Sequence, residues 1–187
     1  SCLDSFAPRE EARRRPGPVS VFYLPHPAAN LRPRRVDFGG ESLTFLSGEG
    51  EPDANQTVIE REARILAGVK EGFVPAWKRF FRIIHRDTFS RLRPLAGALE
   101  PLIRDGTPRD RVPAVLLAWF QEFSYARTGT LSDFQSPLSC VLTRSGDCDS
   151  LGMAYVILLE HWGYDAILLV SAEYSHAMAG VDVPGDG

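Results

Sequence analysis

The sequence predicts an α+β fold in which helices from the middle of the chain surround a central helix starting at Cys148, packed on an antiparallel sheet. Three observations lead there. The stretch after Cys148 places Leu151, Met153, Ala154, Tyr155, Val156, Ile157, Leu158 and Leu159 around most of a helical circumference, so that helix has partners on several sides. Upstream, apolar residues recur at helical spacing through Trp77, Phe80, Phe81 and Ile84, and again through Leu116, Leu117, Phe120 and Phe123. Downstream, the apolar run from Ala166 to Val170 and the alternating segment from His176 to Val183 flank a polar turn, the pattern of two antiparallel strands.

Composition sets the frame for these elements. A chain of 187 residues, 44% hydrophobic and 24% charged, fits one compact domain with a small N-terminal addition. The division expected is an arm with short strands over 1–54 and the main domain over 55–187. The net charge of −3 gives no reason to expect a nucleic-acid partner. No run is long and apolar enough to span a bilayer, and no signal peptide is seen in these residues.

In chain order, Pro8, Pro16, Pro18 and the run Arg13-Arg14-Arg15 suit an exposed arm. Val19 to Leu24 reads as a strand, with His26 in a surface loop after it. Leu43 to Leu46, after Gly39-Gly40, reads as a second strand, and together they suggest a hairpin laid on the helical body. Asn55 or Thr57 caps a helix running to about Lys70. A helix with an aromatic face starts near Val74, with His85 at its surface or boundary. Another spans Leu92 to Ile103 despite Pro94 and Pro101. Asp110 caps the next, with Pro113 at its third position and Gln121 facing Tyr125 four residues on. Gly129 to Pro137 is a loop that walls a cleft. Gly163 closes the Cys148 helix; Gly152 inside it marks close approach of another backbone, and His161 suits the helix end as a cation.

The chemistry centres on Cys148. Gly146 breaks the preceding structure and Asp147 is an N-cap, so Cys148 falls in the first helical turn, among backbone N–H groups without intrahelical partners. The positive end of the helix dipole lowers a thiol pKa there, whereas Asp147 and Asp149 oppose a further anion. A nucleophile in that position therefore needs a base, and His176 at the start of the last strand is the candidate. The three cysteines, Cys2, Cys140 and Cys148, form no even set. The competing readings of Cys148 are a disulfide with Cys140 or an inert buried thiol. No close CxxC or HxxxH set suggests a metal.

Gly146-Asp147-Cys148-Asp149, a helix closed by Trp162-Gly163-Tyr164-Asp165, a strand, and His176-Ala177-Met178-Ala179-Gly180-Val181 resemble the core of the transglutaminase-like superfamily of papain-related cysteine enzymes. The bacterial cysteine peptidase branch is the most similar, and Phe120-Gln121-Glu122-Phe123-Ser124-Tyr125 and Ser136-Pro137-Leu138 fit that branch too. The resemblance covers roughly the last 80 residues. It implies a papain-like core with Cys148 as nucleophile and His176 as general base, acting on a protein or peptide substrate through a thioester without a cofactor. Gln121 and Asp149 are the candidates for substrate or oxyanion contacts, the latter at a helix start that offers free N–H donors. In that family an acidic or amide residue on the following strand orients the histidine. The chain stops at Gly187, so the sheet is expected to be truncated and His176 to lack an acidic partner, Asp182 being about 20 Å along its strand. A module that keeps the fold without the chemistry is the alternative. Cys2 stands where the lipid-carrying cysteine of a processed bacterial lipoprotein would, which favours the cell envelope; an added serine before an ordinary cysteine explains it equally.

Overall fold

The computed structural model describes residues 30–69, 73–127, 133–171 and 173–183. These form an α+β assembly of five helices and three two-stranded sheets. Strands β1 (Leu31–Phe38) and β2 (Glu41–Gly48) pair antiparallel with Phe38 opposite Glu41. Gly39 and Gly40 between them both take positive φ, +59° and +85°, the conformation a two-residue hairpin turn requires. The hairpin is thus built on Gly39-Gly40, with residues 31–38 as its first strand. The expected strand Val19 to Leu24, like Cys2 and the arginine run, lies outside the described residues. Val36, Phe38, Leu43 and Phe45 face inward and join the same apolar core as the helices. The Trp119 Nε1–H donates to the Asp37 carbonyl at 2.7 Å, tying the hairpin to the helical body.

Helix α1 (Glu51–Ala67) begins earlier than a cap at Asn55 or Thr57 would allow. Pro52 sits in its first turn, where its missing N–H is no loss. Asn55 is instead fully buried, its Nδ2 donating to Asp87 Oδ2 at 2.7 Å and Thr88 Oγ1 at 3.0 Å, while Arg91 pairs with Asp87 at 3.1 Å. Those partners lie on α2 (Val74–Arg104), one helix of 31 residues where the sequence suggested two. Pro94 and Pro101 each remove a backbone donor from its interior. The helix continues through them because Leu92, Leu95, Ala96, Leu99 and Ile103 are all buried along one side, and packing outweighs propensity there. Helix α3 (Val112–Gln121) has Arg111 at its N-cap and Pro113 in its first turn, so Asp110 does not cap it. It ends at Gln121, and Tyr125 lies in β3 (Ser124–Tyr125) rather than one turn further along the helix. Leu117 is exposed, while Leu116, Phe120 and Phe123 fill the inward face.

After a short helix α4 (Pro137–Thr143), absent from the sequence reading, β4 (Ser145–Gly146) pairs parallel with β3. The central helix is α5 (Cys148–His161), with Met153 to Leu159 buried without a break. Gly163 follows its end with φ +84°, the left-handed position expected of it. Strands β5 (Ala166–Ser171) and β6 (His176–Val181) form an antiparallel pair packed on α5. Four contacts lock α5 to its surroundings. His85 Nε2 lies 2.7 Å from Glu160 Oε2, Trp162 Nε1–H donates to the Ala96 carbonyl at 3.0 Å, and Tyr155 O–H donates to the Pro113 carbonyl at 3.0 Å. His161 Nε2 lies 2.7 Å from the Phe89 carbonyl. His85 is therefore a core residue, not a boundary one. His161 bridges to α2, and burial pushes its pKa down, away from the cation expected at the helix end. Among the described residues no helix is long and apolar enough to cross a membrane.

Two glycines mark close approaches. A Cβ on Gly152 would lie 2.9 Å from Leu168 Cδ1, so the neighbour is a flexible side chain of β5 rather than a backbone. A Cβ on Gly146 would lie 2.7 Å from Cys140 Sγ and 3.2 Å from Leu151. Gly146→Ala is therefore expected to cost about 1–3 kcal/mol in denaturant unfolding, with much of the loss recovered when Cys140→Ala is added. Additive costs in the double variant would show that the Cys140 contact is not the constraint.

Candidate active site

Residues 144–150 form the head of α5, and hydrogen bonds fix it on each side. Ser124 N–H donates to the Arg144 carbonyl at 2.9 Å and Ala126 N–H to the Gly146 carbonyl at 3.0 Å, zipping the segment after α3 to the chain entering the turn. Arg144 takes the left-handed conformation, φ +52°, that ends α4 and redirects the chain. Asp147 is buried, and its carboxylate accepts the Ser150 N–H at 2.9 Å, the N-cap bond its position in the sequence predicts. Ser150 Oγ donates to the same oxygen and accepts the Gln135 N–H at 2.8 Å. The loop 133–136 is held from its other side by Gln56, whose side chain accepts the Ser136 N–H at 2.8 Å and donates to the Phe134 carbonyl at 3.3 Å.

Cys148 follows at the first helical position, partly buried and free, and Cys140 is buried and free, so the two do not form a disulfide. Burial pushes the Cys140 thiol up to about 12, which leaves it inert at neutral pH. The Cys148 thiol is also raised, against the lowering expected from the helix dipole. Burial is the main cause, with the Asp149 and Asp147 carboxylates adding to it, while the Ala177 and Asp149 N–H groups oppose it. The Ala177 contact follows from strand alternation. Asp182 N–H donates to the Asp165 carbonyl at 2.8 Å, so even-numbered residues of β6 direct their backbone groups at β5. Ala177 is odd, and its N–H points off the outer edge of β6, where the sulfur lies.

His176 is thus adjacent in sequence to the residue whose amide meets Cys148. It is exposed, opposite Ser171 at the end of the hairpin. Among the described residues no carboxylate is hydrogen-bonded to its ring. The acidic group that its charge reaches is Asp149, whose Oδ1 is 3.9 Å from Cys148 Sγ. Burial and then Asp147 push the Asp149 carboxyl up to about 6, against the pull of His176 and Arg127. Spacing did not nominate Asp149 as a neighbour of the histidine; the packing of β6 across the head of α5 brings them together.

Arg127 was not legible as a site residue. It lies just past β3, exposed, with its Nε–H donating to Tyr125 Oη at 3.0 Å and its guanidinium 3.8 Å from Asp133. Its charge reaches both Asp149 and Cys148. Gln121 is exposed at the end of α3 and makes no hydrogen bond to Cys148, Asp149 or His176 among the described residues. The Gln135 side chain donates to the Ala126 carbonyl at 3.4 Å. Among the described residues no group of three or more His, Cys, Asp or Glu is arranged to hold a metal. In comparisons with known proteins, no family model, curated protein or solved structure matches the chain.

The raised Asp149 pKa carries a stability consequence of definite sign. The folded protein holds this proton up to about pH 6, whereas a free Asp releases it near 3.8, so stability falls as pH rises through that window. Asp149→Asn is expected to gain about 1–3 kcal/mol in unfolding free energy above pH ~7 and nothing below pH ~4. Equal effects at both ends, measured by denaturant titration, would show that the carboxyl is not strained by its surroundings.

Proposed function

We propose that this chain is a transglutaminase-like cysteine domain that transfers acyl groups through Cys148, with His176 as general base and a peptide or amide as donor. The observation that carries this reading is the amide of Ala177 directed at the Cys148 sulfur, because it sets the His176 strand across the head of the nucleophile's helix. The thiol proton passes to the imidazole, and the sulfur attacks the carbonyl carbon. As the tetrahedral adduct collapses, the C–N bond breaks and the imidazolium gives its proton to the leaving amine. Water then resolves the thioester in a hydrolase, or a second amine in a transferase. Hydrolysis is preferred, since water needs no acceptor site. The backbone N–H groups of the first turn of α5 point toward where an oxyanion at Cys148 would form, and suit it.

The raised thiol favours, in part, the alternative of a non-catalytic module with the same core. Hydroxylamine separates the two, because it intercepts a thioester whether water or an amine is the natural acceptor. Incubated with casein and hydroxylamine, the protein should yield peptide hydroxamates detectable by mass spectrometry. Cys148→Ala should abolish them and His176→Ala reduce the rate by at least about a hundredfold. An absence of Cys148-dependent hydroxamate together with no acyl adduct on Cys148 would leave the binding module as the reading.

A further inference from the structure

We propose that Asp149 adds to burial in keeping the Cys148 sulfur protonated in the resting site, its carboxylate accepting the S–H until the proton passes to His176. This rests on the reading of Cys148 as nucleophile, and it adds a third side chain to the pair. The geometry singles out Asp149 among the nearby carboxylates. Asp147 is committed to capping, with Oδ1 taken by the Ser150 N–H and hydroxyl. Asp133 turns to Arg127. Asp149 Oδ1 faces the thiol at 3.9 Å, long for a strong bond but placed to receive the one proton the sulfur can donate.

The charged and titratable groups that act on Asp149 are Asp147 and Cys148 from the helix head, His176 from β6 and Arg127 from the segment after β3. While the imidazole is neutral, ionising the thiol would set a new anion against two carboxylates, with only the Ala177 and Asp149 N–H groups and the Arg127 guanidinium to favour it. Once the S–H bond breaks and the proton bonds to the imidazole, the same carboxylate faces an imidazolium. Its charge then supports the ion pair it formerly prevented. Asp149 is therefore a positioning residue for the proton, making thiolate formation conditional on His176.

The test is the pH dependence of Cys148 alkylation by iodoacetamide, read at that residue by peptide mapping so that other cysteines do not contribute. In Asp149→Asn the apparent pKa of Cys148 should fall by about one unit. The thiolate fraction then rises about tenfold, and because a less basic thiolate is a poorer nucleophile, the observed rate near pH ~7 rises about threefold. Asp149→Ser, which removes the charge with a smaller side chain, should behave alike, and Asp149→Glu should restore the original profile. His176→Ala reads the underlying assignment separately: unchanged Cys148 alkylation in that variant would remove the base, whatever Asp149 does. An unchanged or higher apparent pKa in the folded Asn and Ser variants would overturn the role given to Asp149.

Discussion

The carboxylate of Asp147, buried at the head of α5, is the interaction on which the site depends. It accepts the Ser150 N–H and hydroxyl, and Ser150 in turn accepts the Gln135 N–H. One buried carboxylate thus starts the helix, sets the position of Cys148 and anchors the loop 133–136. Satisfied by two donors, it is tolerable in the interior, where an unpaired carboxylate would not be. Its cost falls on its neighbours, since it contributes to the raised pKa of both Cys148 and Asp149.

That arrangement gives the thiol opposing influences. The helix start and the Ala177 amide favour the thiolate, while burial and two carboxylates favour the thiol, and the balance leaves the sulfur protonated. A group at equilibrium in that state reacts when a base takes its proton. The sheet sets where the histidine strand runs: alternation sends the Ala177 amide outward to the sulfur, and Ala177 itself packs on the core. The rigidity behind this geometry comes from α5, buried from Met153 to Glu160 and hydrogen-bonded to α2 and α3 through Glu160, Trp162 and Tyr155.

Much of this frame was legible in the residues. The continuous apolar character of α5, its Asp147 cap, the Gly163 terminus and the two final strands all follow from local chemistry, and the structure has each of them. The failures came where tertiary contacts outweighed local signals. Pro94 and Pro101 signalled a break, but a buried apolar face carries α2 through both. Asn55 looked like a cap because its type suits one, yet its amide is consumed by Asp87 and Thr88 across the core. His85 carried no sign of burial because its partner Glu160 lies 75 residues away. Around the candidate site, motif order nominates Cys148 and His176, whereas the interactions of Arg127 and His176 with Asp149 depend on how β3 and β6 flank one turn. No spacing rule encodes that.

The central claim is that Cys148 and His176 act on the same substrate carbonyl, and the most direct test is a bridge between them. Dibromoacetone alkylates a thiol and then a nucleophile within a few ångströms of it. The account predicts a Cys148–His176 cross-link in the peptide map of the native protein, lost in His176→Ala and on unfolding. Complete single alkylation of Cys148 with no link to His176 would contradict it.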